Sequence, residues 1–223
     1  MLSPKSKILV IAPHQDDEIL GCGGYIKKNI ENGSSVVVLF TTSGWSGIRN
    51  KKMSKNERVK IRENEAIKAG KVLGIKKFIF LRKNDRAIYA DKTLLFDIVK
   101  TIQTIQPDVI LSPHEDDTDL EHQIVNKLTK EAAWLAKEGA LITKLSPARQ
   151  LKEILFYEVW APIKKPTVYV DITKHIDQKI KALKQYKSQL QQRDYIGIIS
   201  GLNMFRGGIR GFKYAEAFCR KLL

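Results

Sequence analysis

Residues 7–18 read KILVIAPHQDDE, and residues 108–122 read DVILSPHEDDTDLEH. Each stretch opens on aliphatic, partly β-branched residues, the composition of a strand buried on both faces, and each then runs into Pro-His-x-Asp-Asp. In an open parallel sheet, ligands bind in the crevice beyond the carboxyl ends of the strands. Both histidine–carboxylate clusters therefore belong on the functional edge, and they face each other if the two strands are neighbours.

Working outward, apolar runs alternate with helical spacing. Strands are predicted at 7–12, 34–42 (SSVVVLFTT), 76–81 (KKFIFL) and 108–112 (DVILS), with helices at 17–31, 56–73, 91–105 and 120–137 between and after them. Gly33, Gly74 and Pro107 supply stops. Strands separated by helices of this length form βαβ units and a mostly parallel sheet. Beyond Lys152 the pattern changes: EILFYEVW (153–160) and TVYVDIT (167–173) read as strands, 174–191 as one helix, and 206–222 as a glycine-rich stretch turning helical. The expectation is an α/β fold: a single Rossmann-like domain over 1–223, helices on both faces of a mostly parallel sheet, and a C-terminal elaboration.

The 223 residues carry 39 Lys and Arg against 24 Asp and Glu, a formal charge of +15. Such a field favours an anionic partner. The basic residues are scattered in doublets such as Lys164–Lys165 with no block of five, so a nucleic-acid-binding module is the less favoured alternative. Two cysteines, Cys22 and Cys219, make no disulfide framework. The N-terminal apolar run is too short for a secretory signal or a membrane span, which points to a cytoplasmic protein.

Histidine with carboxylate is the ligand set of a catalytic zinc site, in which three protein ligands leave a fourth position open. A lone His–Asp pair after a strand is ordinarily a turn and a helix cap. Two facing clusters in a chain with only four histidines favour the metal reading. An oxygen-only alternative, a magnesium-dependent phosphotransfer or phosphohydrolase site, would rest on Asp16, Asp17, Asp116 and Asp117.

APHQDDEILGCGG (12–24) resembles the signature of the LmbE-like/PIG-L zinc-dependent N-deacetylases, with Gln15 where proline is usual, and PHEDDTDLEH (113–122) resembles the family's later ligand segment. RENEAIKAGKVLG, LRKND, YEVWAPIKKPTVYVDIT, LKQYKSQ and YAEAF extend the likeness over almost the whole chain. The resemblance implies removal of an N-acetyl group from an amino-sugar (GlcNAc-type) conjugate. Nucleotide sugars, lipid-linked sugars, thiol precursors and free glycans all fall within its range. It implies Zn2+ on His14, Asp17 and His122, with Asp16 as general base, Arg62 and Asp85 on sugar hydroxyls, and Glu18 as a loop brace. Where members carry an assisting histidine this chain has Asp119, which could donate to an oxyanion only if protonated; a helix cap or a support for a ligand histidine is the competing role, and His114 is an alternative donor. Gly21, Gly23 and Gly24 are expected to allow close helix packing, Phe156–Trp160 and His175 to be structural, and Met204, Phe205 and RGGIRG to form a lid.

Overall fold

Alternation along β1 (Lys7–Ala12) sets the layers: Ile8, Val10 and Ala12 face one side, Leu9 and Ile11 the other, and all five are fully buried. A strand covered on both faces needs helices on both, and the computed structural model, which describes residues 5–50, 52–88, 92–139 and 143–223, supplies them. The Ile8 side packs on α1 (Asp17–Glu31), α2 (Lys55–Leu73) and α5 (Ile176–Leu183). The Leu9 side packs on α3 (Lys92–Ile105) and α4 (Leu120–Glu138). The predicted first residue of the third helix, Asp91, lies outside the described residues.

The remaining strands are β2 (Ser35–Thr42), β3 (Lys77–Lys83), β4 (Val109–Pro113), β5 (Glu153–Tyr157), β6 (Val168–Asp171) and β7 (Ala215–Leu222), in the order β3-β2-β1-β4-β5-β7-β6. β1 to β5 are parallel to one another, whereas β7 runs antiparallel to both β5 and β6. β1 and β4 pair directly, from Ile8 opposite Val109 to Val10 opposite Leu111. The two Pro-His loops consequently leave the sheet side by side at its carboxyl edge, where strand order reverses.

Three C-terminal expectations are corrected. Residues 215–222 are a strand, not a helix: β5 would otherwise be an open edge, and the ladder it offers outweighs the helical propensity of AEAF. The 174–191 helix is two, α5 and the short α6 (Lys187–Leu190), because the chain turns at 184–186 to aim the Tyr186 hydroxyl at Glu18. Residues Tyr195–Gly208 form a further helix, α7, on which Met204 and Phe205 are exposed and do not line the cavity described below; they form no lid.

α1 is interrupted at Cys22 (φ −145°), and the Glu216 carboxylate accepts from Gly24 N (2.8 Å) and Tyr25 N (2.7 Å), capping the second segment from inside. Lys179 Nζ in turn binds Glu216 at 2.6 Å, so that charge is paired. Gly21 lets α1 lie against Tyr157: a Cβ there would stand 2.2 Å from Tyr157 Cδ2, and Tyr157 is pinned by its hydroxyl donating to Ile11 O at 3.0 Å. Gly21→Ala gains up to about 1 kcal/mol of helix propensity. Overpacking against a pinned ring costs about 1–3 kcal/mol. The expected net result is a melting temperature lowered by a few degrees, roughly 2–4 °C per kcal/mol for a chain of this size. A melt at or above the parent temperature would show that α1 can slide off Tyr157.

Candidate metal and catalytic site

The first loop turns sharply after β1. Asp16 sits at φ 142°, a backbone conformation seldom adopted by a residue with a side chain. It is held there from several directions. Its N–H donates to Glu18 Oε2 (3.1 Å), its carbonyl accepts from Ile19 and Leu20, and Arg62 Nη2 lies 3.3 Å from its Oδ1 while also binding Gln15 O. Glu18 thus braces the loop through a backbone amide, as expected. Its other oxygen takes the Tyr186 hydroxyl. Burial pushes Glu18 up to about 8, against the pull of that hydroxyl. Burial likewise raises Asp16 to about 6, opposed first by the Arg62 guanidinium.

His14 from the first loop, Asp17 from the start of α1 and His122 from the first turn of α4 converge. His14 Nδ1 is 3.3 Å from Asp17 Oδ2 and 3.4 Å from His122 Nε2, and His122 Nε2 is 3.3 Å from Asp17 Oδ2. An ion bound tetrahedrally at roughly 2.0–2.1 Å requires ligand–ligand edges of about 3.3 Å, so this triangle is already the base of such a site. These three form the candidate metal cluster among the described residues. The His14 ring is also braced from behind by Glu121 Oε2, 2.8 Å from its Nε2, whereas Asp117 Oδ2 stands 3.4 Å from His122 Nδ1 as an ion-pair contact without a hydrogen bond. A carboxylate on the ring nitrogen that faces away fixes tautomer and orientation in metal-binding histidines.

Electrostatics agrees with geometry. Burial alone would lower His122, yet Asp17 and Asp117 raise it to about 9; His14 is likewise raised by Asp17 and Glu121 against burial. Burial would raise Asp17, but the two rings hold it well below the carboxylate range. A field that keeps protons on two buried imidazoles is the field a divalent cation needs. The nitrogen-rich donor set also tells against the oxygen-only alternative. Asp116 is exposed, and Asp117 is spent on His122 and on the backbone amides of Asp119 and Trp160.

The cavity above the triangle holds about 200 Å³, with Asp16, Arg62, Trp160 and Tyr195 among its walls. Arg62 is 2% exposed, and its Nε and Nη1 have no protein acceptor. Asp85 is otherwise employed. Its Oδ1 accepts from Ser43 Oγ (2.9 Å) and Gly44 N (2.8 Å) and its Oδ2 from Ser46 N (2.7 Å), which shapes the 44–47 turn lining the cavity without bringing Asp85 to its wall. His114 also stays outside, its Nε2 on Ala161 O at 2.7 Å and its Nδ1 accepting from Asp116 N at 3.3 Å. Of the aromatic run, Phe156, Tyr157 and Val159 are core, whereas Trp160 reaches the cavity. His175 pairs with Glu31 at the surface.

Asp119 lines the cavity, but both its oxygens accept from Arg86 Nη1 (3.0 and 2.8 Å), and Oδ1 also caps α4 by accepting from Glu121 N at 2.9 Å. With both oxygens accepting, the expected hydrogen-bond donation to an oxyanion finds no support; the capping alternative does. Asp119→His is expected to cost about 1 kcal/mol through the lost cap, visible as a lower melting temperature, and to lower turnover with it. A raised turnover at an unchanged melting temperature would return this position to the reaction.

Glu121, Trp160 and Tyr186 were not predicted to act here, and Asp117 was named only as an oxygen ligand of the magnesium alternative. Glu121 showed only as acid density in the 113–122 segment; Tyr186 acts on Glu18 across 168 residues and left no local signal.

The sequence model of the family described as PIG-L: GlcNAc-PI de-N-acetylase matches residues 9–133, more than half of the chain and both Pro-His loops. The chain belongs to the PIG-L family. A diacetylchitobiose deacetylase of Thermococcus kodakarensis is 29% identical over 94% of this chain and 81% of its own. The N,N'-diacetylchitobiose deacetylase of Pyrococcus horikoshii superposes with a TM-score of 0.88 at 27% identity, covering 97% of this chain and 84% of that one. A 4-carboxy-2-hydroxymuconate hydratase, GalB of Pseudomonas putida, has a TM-score of 0.81 at 23% identity over 96% of this chain and 95% of its own. Since a hydratase shares this fold, fold alone does not fix the chemistry of a PIG-L chain. No helix among the described residues is long and apolar enough to cross a membrane.

Proposed function

We propose that this PIG-L protein is a zinc-dependent N-deacetylase that hydrolyses the acetamide of an amino-sugar (GlcNAc-type) conjugate, releasing acetate and the free amine. The observation that carries the reading is the His14–Asp17–His122 triangle with Asp16 beside it in one cavity, in a chain of de-N-acetylase family. His14 Nδ1, Asp17 Oδ2 and His122 Nε2 would hold the ion, and two imidazoles with one carboxylate suit zinc better than magnesium. When bound, such an ion supplies Lewis acidity, polarising the amide carbonyl and making water a competent nucleophile at neutral pH.

The chain's own groups do the rest. Asp16 takes the proton of the attacking water and carries it to the sugar nitrogen as the C–N bond breaks. Arg62 keeps the Asp16 carboxylate in place at 3.3 Å and offers its unpaired Nε and Nη1 to sugar hydroxyls. Glu121 and Asp117 hold the two imidazoles in register. Asp85 contributes through the 44–47 turn, and Asp119 by capping α4 and tethering Arg86. Residues 1–223 are read as one deacetylase domain, supported by a single sheet that takes strands from residue 7 to residue 222. A cytoplasmic location is part of the same reading, supported by two free thiols.

The test is metal analysis of the purified protein, joined to a screen of N-acetylated amino sugars for released acetate before and after chelation. Stoichiometric zinc and chelator-sensitive acetate release are expected. A protein loaded with zinc that releases no acetate from any amino sugar would end the proposal.

A further inference from the structure

Phe156 of β5 and Cys219 of β7 stand opposite each other in the antiparallel ladder, both turned to the sheet face that α3 and α4 cover. They floor a cavity of about 490 Å³. α4 walls it on one side through Asn126 and Lys130, the 163–165 segment on the other, and the second Pro-His loop closes one end through His114. It shares no lining residue with the cavity over the metal triangle. A space of this size falls within the range of small-molecule sites.

The lining is of three kinds. The floor is apolar: Phe156, Ile163 and the half-buried Cys219 thiol. The rim is cationic. Lys130 is paired with Glu115, and Arg220 with Glu153, whereas Lys164, Lys165 and Lys221 have no ion pair among the described residues. The one lining carboxylate without a cation partner there is Asp116, which is exposed. Three free ammonium groups against one carboxylate leave the rim with an excess of positive charge, which an entering anion relieves. The third kind is a buried acceptor. Asn126 is 0% exposed, and its Nδ2 donates to Pro113 O at 2.8 Å, which fixes the amide and leaves its Oδ1 without a partner. Buried polar atoms are nearly always satisfied, and an N–H or O–H entering the cavity would satisfy this one. His114 does not compete for such a group, since Ala161 O and Asp116 N already occupy its two ring nitrogens.

We propose that this cavity is a second binding site, separate from the metal site, for a small organic anion of about mononucleotide size. An N–H or O–H of the ligand donates to Asn126 Oδ1, its apolar body lies over Phe156 and Ile163, and its phosphate or carboxylate sits among Lys164, Lys165 and Lys221. The inference does not depend on the deacetylase reading. Phosphate and carboxylate present the same oxygen chemistry to these lysines, so the experiment separates them.

The measurement is calorimetric binding of two anions with N–H donors, AMP and indole-3-acetate, beside their neutral counterparts adenosine and indole-3-ethanol, and of inorganic phosphate alone. At least one anion is expected to bind roughly 10-fold or more tightly than its neutral counterpart, as for charge-assisted contacts. High salt should shrink that preference, and phosphate without an apolar body should bind more weakly than AMP. The better-bound anion identifies the anionic group. In the Lys164→Gln/Lys165→Gln/Lys221→Gln protein the ratio of anionic to neutral affinity is expected to fall to about one. Asn126→Ala should weaken anionic and neutral compounds alike by roughly 5-fold, the worth of one hydrogen bond. Cys219 reports the place of binding. Cys22 is 0% exposed, so N-ethylmaleimide added to the folded protein should modify Cys219, and the bound anion should slow that modification in proportion to occupancy. Failure of both anions to bind at millimolar concentration would overturn the site. So would equal affinity for anionic and neutral compounds, binding that leaves Cys219 modification unchanged, or affinities untouched in the lysine and Asn126 variants at an unchanged melting temperature.

Discussion

Asp16→Asn is expected to keep the fold and the metal while lowering turnover by roughly 100-fold or more, the usual contribution of a positioned general base. The substitution is nearly isosteric. An asparagine oxygen can still accept from Arg62, and the backbone braces from Glu18, Ile19 and Leu20 do not involve the side chain. Asparagine is also among the residues that best tolerate positive φ. What disappears is the ability to take a proton inside a cavity where Asp16 is 5% exposed and bulk water is a poor substitute. The three atoms proposed to hold the metal lie on other residues, so metal content should remain stoichiometric. The competing role for Asp16 is purely to brace the loop; turnover would then follow the melting temperature. A folded, zinc-replete Asp16→Asn protein with near-parental turnover would remove Asp16 from the chemistry.

The site's skeleton was legible because local signals coincided. An aliphatic run ending in Pro-His reads as a strand end wherever it stands, and 7–12 was bounded to the residue. The neighbouring positions of β1 and β4 follow from the common doubly wound order, and with them the approach of His14 and His122. Illegible features depend on partners far away in sequence. Residues 215–222 carry a helix-like pattern and become a strand only because β5 lacks a partner on that side. Its Glu216 looks like a surface residue, but is 1% exposed and caps the broken α1. Glu121 and Asp117 could be seen as acids near a ligand, but which imidazole each braces is decided by how α4 enters beside β1. Asp119 aligned with a reacting position of the family, yet its own chemistry, a short acceptor at the start of a helix, makes it a cap.

His122→Ala is expected to abolish stoichiometric metal binding and, with it, measurable acetate release. His122 is fully buried, and its Nε2 forms two edges of the triangle, 3.4 Å to His14 Nδ1 and 3.3 Å to Asp17 Oδ2. Loss of a partner behind a ligand already costs about 10–100-fold in metal affinity, and loss of the ligand itself must cost more. Two donors from one loop, His14 and Asp17, would remain, too few for the three-ligand base of a catalytic zinc site. The consequences for stability run both ways. In the absence of metal the alanine removes a ring that holds Asp17 and Asp117 apart, leaving two buried carboxylates with fewer counter-charges. In its presence the parent gains from binding an ion that the unfolded chain holds poorly, about 2.7 kcal/mol at 100 times the dissociation constant, and the variant forgoes that gain. The parent's melting temperature should therefore drop on chelation and recover with added zinc, whereas that of His122→Ala should respond to neither. Zinc content, the two melting curves and acetate release on the one variant decide the matter. If His122→Ala still holds one zinc per chain and melts higher with zinc than without, the ion sits elsewhere and the triangle is only a buried hydrogen-bonded cluster.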